Sequence, residues 1–124
     1  MAQNGRFSLS VRVLSRLALD PGTMHTSTAL AEALQTSPVM VRRIFSTLHD
    51  AGFISQRKGP QGGARLKVTP KSIGLGDVFS AVSPTWMLTG DKATDAVLKK
   101  VQQDAVAAMN DTSIASLAKK LKKA

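Results

Sequence analysis

Ser37-Pro38 is the strongest punctuation in this 124-residue sequence. A serine side chain satisfies an orphan amide at a helix start, and proline suits the first helical position because its missing N–H is not needed there. Beyond that start, Val41, Ile44, Phe45 and Leu48 fall at i, i+3, i+4 and i+7, one apolar face of a helix reaching about Asp50. Val39, Met40, Arg42, Arg43 and Ser46 are left pointing outward. Ala51-Gly52 ends the helix, and the period then changes. Phe53 to Lys58 reads as a strand, and Ala64 to Val68 as its alternating partner. Gly59-Pro60-Gln61-Gly62-Gly63 between them tolerates positive φ, so the two strands predict a hairpin.

Upstream, Leu9, Val13 and Leu17 recur every fourth residue beside Leu14 and Ala18. They predict a helix from about Ser8 to Leu19, with Arg12 and Arg16 opposite and Asp20-Pro21-Gly22 as its stop. Ser27 or Thr28 caps a short helix, Ala29 to Leu34. Downstream, Pro70 closes the hairpin. Ile73 to Val82 predicts another helix, with Ile73, Val78 and Val82 inward and Phe79 beside them. Ser83 to Gly90 has no period and reads as a linker. Asp91 introduces a long helix to about Met109, carrying Val97, Val101, Ala105 and Ala108 on one side. After Asn110-Asp111-Thr112 a final helix aligns Ile114, Leu117, Ala118 and Leu121. The expected fold is mainly α with a two-stranded β wing. It divides into a winged helix-turn-helix over residues 1–82, a linker over 83–90, and a dimerisation helix with a C-terminal helix over 91–124.

This order has a physical use. An α-helix fills a B-DNA major groove with its N-terminal residues nearest the base edges, and a basic hairpin tip reaches the neighbouring minor groove. Ser37, Val39, Met40, Arg42 and Arg43 occupy that helix end, and Arg57 and Lys58 the hairpin tip. Charge agrees with a polyanionic partner: the net charge is +9, and residues 1–71 hold ten Lys/Arg against three acids. Double-stranded DNA is the expected partner. A helix as long as 91–109 leaves apolar surface exposed on so small a domain, so Val97, Val101, Ala105 and Ala108 predict a homodimer seam.

Several functions are excluded or disfavoured. The chain has no cysteine, which removes disulfides, thiol switching, Cys-ligated zinc and thiolate-held iron–sulfur clusters. His25 and His49 are isolated, so neither a metal site nor any other cofactor is expected. No Ser/His/Asp or Cys/His set points to catalysis. No segment approaches the ~20 apolar residues of a membrane span, nor is there a signal peptide, so a cytoplasmic protein is expected.

The stretches Leu48-His49-Asp50-Ala51-Gly52-Phe53-Ile54 and Arg57-Lys58-Gly59-Pro60-Gln61-Gly62-Gly63-Ala64-Arg65-Leu66 resemble the signature of the Rrf-two (BadM-type) family of bacterial transcription regulators. Thr28 to Leu34, Ile73 to Val82 and Thr112 to Leu117 are similar to further family segments, so the resemblance runs from about Phe7 to Leu121. It implies a sequence-specific regulator, a repressor acting as a homodimer on a palindromic operator. It also implies that Lys58 stands where many members carry a wing-tip arginine, and that Ala64, replacing an aromatic, loosens the wing. The family's cluster cysteines fall between Val82 and Asp91, where this chain has none, so cluster sensing does not transfer. Pro84, Trp86 and Met87 are instead a candidate effector loop for a small molecule or a partner protein. Trp86 is there a packing residue or a lid. An alternative of a different class is a protein-interaction regulator that docks a partner enzyme through the linker and dimer helices; a non-specific nucleoid-type binder is a third.

Overall fold

The computed structural model describes residues 3–59 and 62–123. Pro60 and Gln61, at the centre of the expected turn, lie outside the described residues. Helix α1 (Gln3–Leu19) is the central element, and Leu9, Val13, Leu14 and Leu17 on it are buried. Ser10 and Ser15 are buried among them. Their hydroxyls donate to the carbonyls of Arg6 and Val11, each at 2.8 Å, so neither polar group is orphaned. The helix begins well before Ser8, where its apolar stripe begins. Phe7 on this extension packs edge-on to Phe79 at 5.1 Å, which ties the first turns to a later helix.

Helices α2 (Ser27–Leu34) and α3 (Pro38–Asp50) follow, then strands β1 (Ile54–Arg57) and β2 (Gly63–Leu66), paired antiparallel with Ile54 opposite Leu66 and Arg57 opposite Gly63. Val41, Ile44, Phe45 and Leu48 are buried, the face that their spacing predicts. After a 3-10 turn at Pro70–Ser72 comes α4 (Leu75–Val82). It starts two residues later than Ile73. Ile73 is instead extended and fully buried, and its carbonyl accepts the Ile114 amide at 2.8 Å. The Leu75 amide in turn donates to the Thr112 carbonyl at 2.9 Å. These long-range bonds compete with the first helical turn, and apolar periodicity does not report them.

Helix α5 (Lys92–Met109) has 18 residues, about 27 Å at 1.5 Å per residue. No residue on it is buried. Asp91 caps it, and the Thr94 hydroxyl and amide hold the Asp91 carboxyl below its usual pKa. The sequence places α6 (Ile114–Lys123) beside α5 in the C-terminal segment, whereas in the structure it folds back onto α1. Ile114 and Ala118 are buried and Leu117 packs against the same core. The winged domain's core is therefore closed by the C-terminal helix, and α5 alone stands outside it.

Two glycines set where α5 lies. A Cβ on Gly76 would sit 2.1 Å from the Val106 carbonyl oxygen, and one on Gly74 would sit 2.2 Å from the Asn110 Oδ1. Asn110 Oδ1 also accepts the Asp77 amide at 2.9 Å. Gly76→Ala should therefore push α5 off α4 and cost about 1–3 kcal/mol, the usual range for overpacking. Gly22→Ala, which meets nothing within 4 Å, should change stability little. Urea denaturation of both variants checks this, and equal stability would contradict it.

Candidate nucleic-acid interface

Helices α2 and α3 are joined by a tight turn held by several backbone and side-chain hydrogen bonds. Thr26, rather than Ser27 or Thr28, caps α2, accepting the Ala29 amide at 3.0 Å. Gln35 ends the helix in a left-handed conformation, φ 56°, and the Thr36 amide returns to the Ala31 carbonyl at 2.9 Å. The Arg12 guanidinium donates to the Leu34 carbonyl at 3.2 Å, satisfying an acceptor at the helix end. Ser37 then accepts the Met40 amide at 3.2 Å. The cap uses one of its two lone pairs, and its proton remains to offer a ligand.

The outward face of α3 carries Val39, Arg42, Arg43 and Ser46, all exposed. Val39 shows 49% of its surface. Met40 differs from the expectation: it is half-buried against the core, because its position brings it round to the flank of Ile44. Adjacent helix positions point about 100° apart, and this separates the two arginines. Arg42 Nη1 donates to the Ser27 Oγ at 3.3 Å, which directs it toward α2. Arg43 lies on the opposite flank, in a small recess shared with Arg6, Met40 and Thr47.

Arg42 borders a groove of about 650 Å3 between α2, α3 and the hairpin. Thr26, Ser27 and Thr28 form one wall, Ser46 the floor, and Arg57 and Lys58 the other wall. No acid lines it, and the positive end of α2 opens toward it, an arrangement suited to a phosphate backbone. The hairpin is fixed at its base. His25 and Ala64 exchange both backbone hydrogen bonds at 2.9 Å, and Ala64 is fully buried. The small residue at 64 therefore does not leave the wing base loose. Gly63 permits the approach: its φ is +139°, and a Cβ there would lie 2.3 Å from the His25 carbonyl oxygen.

The candidate effector loop is held to both halves of the chain. Trp86, 39% exposed, packs edge-on to Phe79 at 5.1 Å. Gln102 on α5 donates to the Pro84 carbonyl at 2.8 Å and accepts the Met87 amide at 3.4 Å. Ser83 beside them is buried with its hydroxyl unpartnered. At the loop's exit the Asp95 carboxylate accepts from the Thr89 amide, the Thr89 hydroxyl and the Gly90 amide. The Thr89 amide, chiefly, lowers its pKa. On the outer side of α5, Val97 and Val101 are 66% and 46% exposed and Ala108 is exposed, whereas Ala105 is half-buried on the flank. Sequence reasoning missed Gln102, Phe79's central place and Gly76. A glutamine inside a helix carries no signal of which loop it will meet.

The chemistry of the donors does not fit an iron–sulfur cluster. The chain contains no cysteine, and among the described residues no three of His, Asp and Glu gather as a metal site. Also among the described residues, no helix is long and apolar enough to cross a membrane.

Comparison with known proteins agrees with this geometry. The model of the Rrf2 family, described as iron-dependent transcriptional regulators, matches residues 4–120. YwnA of Bacillus subtilis, which carries the name of an HTH-type transcriptional regulator, is 37% identical over 79 residues. That match covers 64% of this chain and 57% of YwnA, so the chain matches little more than half of that relative. CymR (YrzC), described as the global cysteine regulator of B. subtilis, superposes with a TM-score of 0.73 at 17% identity, over 93% of this chain and 94% of its own. A crystal structure described as a DNA-binding protein superposes with a TM-score of 0.70 at 28% identity, over 90% and 97%.

Because Gly63 sets the approach of β2 to His25, Gly63→Ala should break the His25–Ala64 bridge while sparing α5. Hydrogen exchange reads this directly: the His25 and Ala64 amides should lose protection, and those of α5 should not. Unchanged protection at Ala64 would refute the account of the wing base.

Proposed function

The chain belongs to the Rrf2 family of transcriptional regulators, and from that premise we propose that it binds double-stranded DNA sequence-specifically, as a homodimer on an imperfect palindrome, and represses transcription there. The observation that carries the reading is the acid-free groove flanked by Arg42, Arg57 and Lys58 beside the exposed face of α3. In this reading α3 enters the major groove. Val39 meets thymine methyl groups, Arg43 reads base edges, and Ser37 donates to a neighbouring phosphate or base. Met40 supports α3 from its flank. Arg42, already turned toward α2, clamps the phosphate backbone with the α2 N-terminus, and Arg57 and Lys58 bring the wing to the minor groove. A dimer seated across a promoter excludes the polymerase, which is repression by occupancy.

Homodimerisation is supported by the exposed valines of α5, Val97 and Val101, with Ala108 beside them and Ala105 at the margin. A two-fold axis along α5 would offer two recognition helices to successive major grooves about 34 Å apart. Signal enters, in the same reading, at Pro84, Trp86 and Met87, because Gln102 couples this loop to α5. A small molecule or partner protein there shifts helix spacing only by binding one spacing better than another. Without thiolates the chain draws nothing from the iron chemistry in its family's description.

Footprinting of the pure protein on its own promoter tests the whole reading, and absence of any protected site would reject it. Arg43→Ala should lower operator affinity and relax preference at one base pair, by about 1–3 kcal/mol if the contact is bidentate. Arg42→Ala and Lys58→Ala should instead weaken all sequences alike and flatten the log–log salt dependence by about 0.9 per phosphate lost. Fluorescence anisotropy across salt concentrations separates the two patterns, and unchanged affinity in all three variants would remove this surface from consideration.

For the dimer, Val101→Asp places an unpaired charge at the seam and should yield a monomer with intact far-UV circular dichroism. Light scattering provides the check. A wild-type monomer at about 10 μM would contradict the seam.

A further inference from the structure

We propose that a second groove, between α1, α6 and the C-terminal end of α2, binds a free aliphatic carboxylate, one acyl chain with its anionic head. The groove measures about 390 Å3, within the usual range for small-ligand sites. It shares no residue with the α2–α3–wing groove except that both touch α2, at opposite ends. Leu34, Leu117 and Leu121 give it an apolar floor, and Arg12, Arg16 and Lys120 stand at its edge. No acid lines it. Ser15, the only other polar side chain there, has spent its proton on the Val11 carbonyl at 2.8 Å.

The ligand class follows from this pairing of surfaces. Leu121 remains 40% exposed although the rest of the α6 stripe is packed, so apolar surface is left uncovered beside three cations. A wholly apolar ligand would leave the cations unanswered. A nucleotide or sugar would find no polar floor to bond. An acyl chain lies along the leucines, and its carboxylate meets Arg16 and Lys120, neither of which has an acidic partner among the described residues. Arg12 is held to the Leu34 carbonyl at 3.2 Å and so fixes the end of the groove at α2.

The test uses the full chain and no DNA, so its failure leaves the DNA-binding reading untouched. Decanoate, butanoate and decyltrimethylammonium are titrated below their aggregation concentrations, by calorimetry and by amide chemical shifts. Decanoate should bind saturably, once per chain, with a Kd of about 100 μM or tighter. Shifts should gather on residues 11–16, Leu34 and residues 117–121. Butanoate lacks the chain and decyltrimethylammonium has the wrong charge, so both should bind at least tenfold more weakly. Arg16→Glu with Lys120→Glu, both at exposed positions, should lower decanoate affinity at least tenfold without moving the thermal midpoint. The wild-type comparison of the two amphiphiles stands even if that variant misfolds. The proposal is overturned by non-saturating binding, by equal affinity for the cationic amphiphile, or by shifts centred on Val97 and Val101. An acidic amphipathic peptide that binds at these residues when decanoate does not would also overturn it and assign the groove to a protein partner.

Discussion

Where α4 meets α5, two glycines let one backbone rest against the other: Gly76 faces the Val106 carbonyl and Gly74 faces the Asn110 side chain. Much of the remaining architecture depends on this contact. It sets the line along which α5 leaves the winged domain, with Leu98, Gln102, Val106 and Met109 half-buried and Val97 and Val101 turned to solvent. Asn110 then bonds to Asp77 at the start of α4, and the chain reverses so that Ile114 enters the core. A side chain of even one carbon at 76 would separate surfaces that cannot both be repositioned, because α6 is anchored to α1 beyond the turn.

The features legible in the sequence are those set by local chemistry. Ser37-Pro38 announced the start of α3, the spacing of Val41, Ile44, Phe45 and Leu48 announced its buried face, and the glycine-rich segment announced the hairpin. What escaped depended on distant partners. Ile73 left the α4 helix to bond with Ile114, and α6 joined the core rather than the outlying helix. Met40 turned to the flank because a helical repeat of 3.6 places it closer to Ile44 than to Val39. Gln102 became a loop anchor only through residues 84 and 87, which lie 18 and 15 positions away in the chain.

The two adjacent arginines show how little a sequence says about role. Arg42 and Arg43 carry the same charge in the same helix, yet one is drawn by Ser27 toward α2 and the other shares a recess with Arg6. A guanidinium fixed beside a helix N-terminus answers the uniform backbone of a nucleic acid. One left unbonded on the outer face keeps the freedom to select among bases. Under the proposed function, the Ser27 hydroxyl is what separates a backbone-clamping arginine from a base-reading one.

The edge-to-face series Phe7–Phe79–Trp86 links the first turns of α1, the helix α4 and the loop before α5. Trp86 is the only tryptophan, and the chain has no tyrosine. All long-wavelength intrinsic emission therefore originates at this joint. Its ring is partly exposed and lies on the face of the fold from which α5 departs. Any shift of α5 that alters water access to the indole would change the colour and lifetime of that emission. The protein thus carries an optical gauge of the junction between α4 and α5, readable without a label.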